Sequence, residues 1–292
     1  MKKTNNIAIG IIGGSGLYAM DGMENIREIS MSTPFGKPSD NFITGELMGV
    51  KIAFLSRHGR GHRITPSEIN YRANIFAFKK LGVSNIISVS AVGSLKEELK
   101  PETIFIPDQF FDRTFKRATT FFGNGIVAHI SMSHPVCHAL THILYNTGKG
   151  LNLEISTGGT YICMEGPQFS TMAESRSYRS LGFDVIGMTN IPEAKLAREA
   201  EICYATLALI TDYDCWHKDE EVVNVDMVIE RLNRNIHKAK EIIRHSVGRI
   251  IEKKECSCQN ALRDAIITDR KAIPQKMKNS LKLITEKYIK DQ

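Results

Sequence analysis

Six short apolar runs, rich in isoleucine and valine, recur at residues 7–12, 52–56, 85–90, 103–106, 184–188 and 207–211, and stretches of helical pattern alternate with them. That alternation points to α/β layering. The runs are nearly continuous rather than alternately apolar and polar, which predicts strands covered on both faces. The clearest helix start is Thr65-Pro66-Ser67-Glu68. Threonine can cap, proline suits the first helical position, and Glu68 would complete a capping box. This helix is expected to run through Ile69, Ala73, Phe76 and Ala77 to Leu81, with Gly82 as its stop. A second, at about 226–252, carries Ile229, Leu232, Ile236, Ala239, Ile243, Val247 and Ile250 at spacings of three and four, a stripe that faces a core. Residues 1–252 read as one domain, and 253–292 as a short helical extension packed on it.

A chain of 292 residues buries roughly three quarters of its unfolded surface, so it needs no staples. Its 38 Lys and Arg against 32 Asp and Glu give +6. That mild, mostly dispersed excess lacks the basic stripe of a nucleic-acid binder. No apolar stretch reaches the ~20 residues of a membrane span, and glycines at 10, 13 and 14 break the N-terminal apolar run, which reads as a first strand and not a signal peptide. The six cysteines sit mostly alone in apolar runs, as reduced thiols of a cytoplasmic protein do. Cys256-Ser257-Cys258 lacks partner ligands along the sequence for zinc, and a bridge across one residue would be strained, so the pair reads as ordinary thiols.

Gly13-Gly14-Ser15-Gly16 follows the first run. Read as Gly14-x-Gly16-x-x-Ala19 it approaches a dinucleotide fingerprint, but the turn signal Asp21-Gly22 leaves no room for the crossover helix. A strand-end loop whose N–H groups and Ser15 hydroxyl hold an isolated anion fits better. Arg57-His58-Gly59 also follows a strand, and arginine's planar fork suits a tetrahedral oxyanion. Ser90 and Ala91, then Thr189, stand at two further strand ends. Together the four ends describe an anion site. The last run closes in Thr211-Asp212-Tyr213-Asp214, where Asp212 and Asp214 fall on one side of an extended chain. Such a pair can bind a metal, for which no further ligands stand at suitable spacing, act as acid and base, or hydrogen-bond a heterocycle bearing an amino group and a ring nitrogen.

These motifs, in this order, resemble the trimeric purine nucleoside phosphorylase superfamily and, within it, the 5′-methylthioadenosine phosphorylase family. The resemblance rests on IIGGSGLY (11–18), RHGRGH (57–62), PSEINYRANIFA (66–77), SAVGSL (90–95), MEGPQFST (164–171), MTNIPEAKLAREAEICYA (188–205) and TDYDCW (211–216). It implies a single α/β domain with a central mixed sheet flanked by helices, and phosphorolysis of 5′-methylthioadenosine to adenine and 5-methylthioribose 1-phosphate. Inorganic phosphate would be the co-substrate, with no cofactor and no metal. The phosphate would meet Ser15, Arg57, His58, Ser90, Ala91 and Thr189. The purine would lie near Phe169 and residues Asp212, Tyr213 and Asp214, with Asp212 as the catalytic acid. The ribose would lie against Met188, and Val225 and Val228 would line the methylthio pocket. His129 would reach in from a neighbouring subunit of a homotrimer or dimer of trimers. Ser170, Asp214 and Val225 would set specificity. The chain departs from animal members in carrying Val92 and Gly187 where those have cysteine and asparagine, and it has Ser15 where relatives often carry threonine. The extension from Cys256 resembles that of microbial members.

Overall fold

The computed structural model describes residues 7–17, 20–217, 225–253 and 256–289, with the backbone alone described for Ser15 and for 225–229. Strand β1 (Ile9–Gly13) ends in a 3-10 turn at Ser15–Leu17, and β2 (Met23–Ile29), β3 (Phe42–Leu47) and β4 (Val50–Ser56) follow. Helix α1 (Tyr71–Lys80) leads to β5 (Asn85–Ser94), β6 (Ile104–Ile106) and β7 (Gln109–Arg113). Next come α2 (His138–Gly150), β8 (Ile155–Thr157), β9 (Thr160–Met164), α3 (Met172–Ser180), β10 (Val185–Gly187), α4 (Asn190–Glu199) and β11 (Cys203–Tyr213). The long α5 (Val225–Ile251), a 3-10 turn at Ser257–Asn260 and α6 (Gln275–Thr285) complete the chain.

Among the described residues the strands form one mixed sheet in the order β2-β3-β4-β1-β5-β10-β9-β7, and β11 carries β6 and then β8 on a branch from β5. The central strands are apolar on both faces because each face meets a core. Ile9 and Ile11 of β1, with Ile52 and Phe54 of β4, pack with Ala239, Ile243, Val247 and Ile250 of α5. Ile12, Ala53 and Leu55 point the other way, into a core shared with α1 and α4. From Leu232 to Ile250 the stripe read along 226–252 thus faces a core, as its spacing requires, while the Ile229 side chain lies outside those described.

The helix expected from Thr65 begins instead at Tyr71, capped by Asn70, whose side chain accepts from the Ala73 N–H. In a capping box the hydroxyl must take the N–H three residues on. Here the Thr65 hydroxyl and N–H both donate to the Glu68 carboxylate, and the Glu68 N–H returns to the Thr65 carbonyl, which closes one isolated turn. A complete capping box stands at Thr171 and Glu174, at the head of α3. Strands β2, β3, β7, β8 and β9 are additions to the six runs read from sequence. β2 is largely exposed and charged, so it carries no apolar run to find.

The C-terminal extension is more than an appendage. Leu262, Ile273, Leu281, Ile284 and Ile289 are buried in the same core as α1 and α4. Ile266 forms a bridge with Ala128, and Glu201 accepts from the Leu262 N–H and the Tyr288 hydroxyl. Leu281→Ala is therefore expected to cost about 2–5 kcal/mol, as for a central core leucine. Urea unfolding measures it, and a cost below about 1 kcal/mol, a surface-like value, would mean that the extension is peripheral.

Candidate active site

Strands β1, β4 and β5 run parallel, with Gly13 opposite Ser56 and Ile12 opposite both Leu55 and Ser88. Their carboxyl ends therefore lie level. Beyond Ser88, β5 keeps β11 on one edge, while its other edge has no strand among the described residues until β10 joins at Gly93 and Ser94. Crevices of this kind, at strand ends where neighbours diverge, are where α/β sheets hold ligands. Because β10 is antiparallel to β5, the chain leaving it runs back toward Ser90. There the Ser90 hydroxyl donates to Asn190 Oδ1 at 3.1 Å. Thr189, buried, stands at the N-cap of α4 without a side-chain capping bond. The four predicted ends thus converge. Ser15 lies on the 3-10 turn after β1, and its side chain is outside those described.

Arg57 sits at the base of this crevice, only 2% exposed. Its Nε and Nη2 form a two-pronged pair with Glu193, at 2.8 and 3.0 Å. Nη2 also donates to Ser88 Oγ at 2.7 Å and to the Ile12 carbonyl at 3.3 Å, and Nη1 donates to the Val89 carbonyl at 2.9 Å. Of the five guanidinium N–H groups, these contacts among the described residues leave one on Nη1. Burial alone would favour the neutral form, but Glu193 outweighs it and raises the pKa. Arg57 is thus first a structural cation, with a single N–H left over for a ligand. His58 stacks on His62 and its Nδ1 lies 2.8 Å from the Ile64 carbonyl, so the ring carries a proton there. Burial, helped by Arg57, lowers its pKa to about 4. The ring is neutral at pH 7, and Nε2 is then an acceptor, suited to the hydroxyl of a hydrogenphosphate. Ala91 is exposed in the crevice.

On the far side, β11 meets β5 through an irregularity: Ile210 pairs with Val92 and Asp212 with Gly93, so Thr211 is the extra residue. Both carboxylate-bearing residues flank Gly93, where a Cβ would lie 3.5 Å from Asp212 Oδ2 and from Asp214 Cβ. The Thr211 hydroxyl donates to Asp212 Oδ1. Burial raises the Asp214 pKa, and its Oδ2 has no hydrogen-bond partner among the described residues. Tyr213 turns away: its hydroxyl donates to the Glu97 carbonyl and its ring stacks on His217. Phe169 is 80% exposed, and Ser170 is tied through its carbonyl to Cys215. Met188 is partly buried, with its carbonyl held by Arg117. His129 is exposed, its N–H bonded to the Ala265 carbonyl of the extension. The side chains of Val225 and Val228 lie outside those described, in the first turn of α5.

Four residues at the site had no sequence signal of their own. Glu193 is a helical glutamate among others and shows its role only once it faces Arg57. Asn190 links Ser90 to Thr206. The Tyr161 hydroxyl fills the space that a side chain at Gly187 would need. Arg117, whose side chain is fully buried, donates to the carbonyls of Met188, Ile191 and Glu165 and so fixes the β10–α4 junction.

Removing Glu193 leaves an unpaired buried guanidinium, and Glu193→Ala should lose about 3–5 kcal/mol of stability in denaturant titrations. A loss below about 1 kcal/mol would contradict the pair's central role. His58 gives a pH signature. Between pH 6.5 and about 4 the unfolded chain binds a proton that the folded chain refuses, so stability present above 6.5 is lost as the pH falls through this window. His58→Gln should remove a part of that acid slope on the order of 3 kcal/mol by pH 4. An unchanged slope would exclude a refused proton on His58.

A family model for the phosphorylase superfamily matches residues 8–248. The chain is 59% identical to an S-methyl-5′-thioadenosine phosphorylase of Geobacter sulfurreducens over 282 residues, 96% of this chain and 99% of that one. It is 55% identical to the S-methyl-5′-thioadenosine phosphorylase of Koribacter versatilis, covering 97% of each. Among solved structures, a methylthioadenosine phosphorylase from an antarctic soil metagenomic library superposes with a TM-score of 0.91 at 49% identity, over 96% of this chain and 99% of that one. The Schistosoma mansoni methylthioadenosine phosphorylase in complex with adenine does so with a TM-score of 0.83 at 36% identity, over 88% and 96%. With the fold and near full-length identity in agreement, the chain belongs to the phosphorylase superfamily and, within it, to the S-methyl-5′-thioadenosine phosphorylase family.

Proposed function

We propose that this chain splits 5′-methylthioadenosine with inorganic phosphate, giving adenine and 5-methylthioribose 1-phosphate. The observation that carries this reading is the layout along β5. Ser90 and Ala91, assigned here to the anion, lie on the strand whose Gly93 is flanked by the two aspartates. At ~3.3 Å per residue Ala91 and Ser90 lie about 7 and about 10 Å from Gly93, enough for a sugar between phosphate and base.

In this scheme the phosphate rests on the Nη1 N–H of Arg57, the His58 ring, the Ser15, Ser90 and Thr189 hydroxyls and the Ala91 backbone. Its negative charge lies beneath C1′, where positive charge develops as the glycosidic bond lengthens, so attraction grows toward the transition state. Electrons pass into the purine, and a protonated Asp212 donates to N7. Asp214 accepts from the exocyclic amino group and so favours a 6-amino base. Phe169 and Ser170 border the base, and Met188 the ribose. The reaction needs no metal or organic cofactor. The methylthio preference is supported by the named relatives, and Val225 and Val228 would line its pocket. A second substrate, adenosine, is favoured by one specific relative: the Schistosoma mansoni structures include one described as an adenosine/methylthioadenosine phosphorylase.

Assembly into a homotrimer, or a dimer of trimers, would bring His129 of one subunit to its neighbour's site. Exposed Val127 and Ile267, joined through the Ile267 N–H to the Val127 carbonyl, give that region an apolar surface to cover. Among the described residues no helix is long and apolar enough to cross a membrane, and no two cysteines are joined in a disulfide, which suits the cytoplasm.

The test is adenine release with and without phosphate, comparing 5′-methylthioadenosine, adenosine and inosine. Release should require phosphate, and Asp212→Ala should lower kcat by about 10²–10⁴-fold. Release undiminished without phosphate would indicate a hydrolase, and full activity in Asp212→Ala would remove the acid role. Asp214→Asn should narrow the preference for 5′-methylthioadenosine over inosine, and an unchanged ratio would remove Asp214 from base selection.

A further inference from the structure

Cys256-x-Cys258 does not lack partners after all. Cys203 opens β11, Cys137 immediately precedes α2, and Cys256 and Cys258 flank the start of the extension. All four sulfurs lie within 4.8 Å of one another. Cys256 Sγ is 3.8 Å from Cys137 Sγ and 3.1 Å from Cys203 Sγ. A tetrahedral zinc ion with thiolates at about 2.3 Å spaces its sulfurs at about 3.8 Å. Three of the thiols are buried and Cys256 is partly so.

The charges around the cluster match that ion. Lys253 Nζ lies 3.2 Å from Cys203 Sγ and 3.7 Å from Cys256 Sγ, and Arg198 Nη1 lies 3.4 Å from Cys258 Sγ. Four thiolates around one divalent cation carry two negative charges, which these two cations offset. Four neutral thiols would give Lys253 and Arg198, both partly buried, little in return for the hydration they lose. We propose that Cys137, Cys203, Cys256 and Cys258 bind one zinc ion as a closed tetrathiolate site, releasing their thiol protons as they do so. Soft sulfur donors with no open position suit zinc in a structural role. The site is remote from the chemistry: nine residues of β11 at ~3.3 Å each separate Cys203 from Asp212 by about 30 Å. Its effect is to fasten the start of the extension to the sheet and to α2, and it does not depend on the phosphorolysis reading.

The full chain, produced in zinc-supplemented medium and purified anaerobically in reductant, should hold one equivalent of zinc by elemental analysis. The same chain produced with cobalt should show thiolate-to-cobalt charge transfer and the visible bands of a tetrahedral site. The double variant Cys256→Ser/Cys258→Ser should lose the equivalent, and Cys215→Ser, outside the cluster, should keep it. If the double variant fails to fold, the cobalt spectrum of the unaltered chain still decides. Zinc well below one equivalent would overturn the proposal. So would zinc retained by the double variant, or an anaerobically purified chain short of two hydrogens per bridge by intact mass, which would assign the thiols to disulfides.

Discussion

Arg57 is buried where the ends of β1, β4 and β5 meet, and Glu193 makes that burial tolerable. The pair joins segments 136 residues apart in sequence, and each remaining contact recruits another element: Ile12 from β1, Ser88 and Val89 from β5, and Tyr204 from β11, whose hydroxyl donates to Glu193. A buried ion pair gains little over a well-packed apolar contact, and its worth lies in what breaks when one partner is lost. Here it fixes the first turn of α4 against the strand ends. Thr189 and Asn190, just ahead of Glu193, are thereby delivered to Ser90. Because Glu193 balances Arg57, most of the guanidinium charge is already paired within the fold. In the proposed scheme phosphate binding would therefore fall more heavily on hydroxyls, on backbone N–H groups and on the neutral ring of His58.

The crevice itself comes from a change of direction in the sheet. Were β10 parallel to β5, its carboxyl end would continue past Ser94, away from Ser90 and Ala91. Antiparallel pairing at Gly93 and Ser94 sends the chain back along the open edge instead. Arg117 holds that return path by its carbonyls, and Tyr161 requires glycine at 187, so the junction is set from both sides. On the opposite edge the extra residue Thr211 shifts the alternation of β11 and turns the aspartate pair toward Gly93. Period-two reasoning had placed Asp212 and Asp214 together. It held because the irregularity falls before both of them.

The extension is a second case of long-range closure. Its apolar residues complete the core over α1 and α4, and its first residues carry two of four clustered thiols to the head of β11. A strand that offers carboxylates at one end and a thiol cluster at the other couples the frame of the site to the C-terminal segment.

By itself the sequence determined the α/β class, the central strands, the amphipathic long helix and the identity of the residues at four strand ends. These are local facts, since apolar runs, three-and-four spacing and glycine or hydroxyl residues after a strand need no partner to be read. The family motifs added roles to those positions. Only the tertiary structure decided that Arg57 is mostly consumed by Glu193, that His58 is neutral, that the helix after Thr65 waits for Asn70, and that Cys137 and Cys203 stand beside the Cys256–Cys258 pair. Each of these depends on groups distant in sequence coming within a few ångströms. Burial, pairing and pKa are properties of that neighbourhood, and no spacing along the chain encodes it.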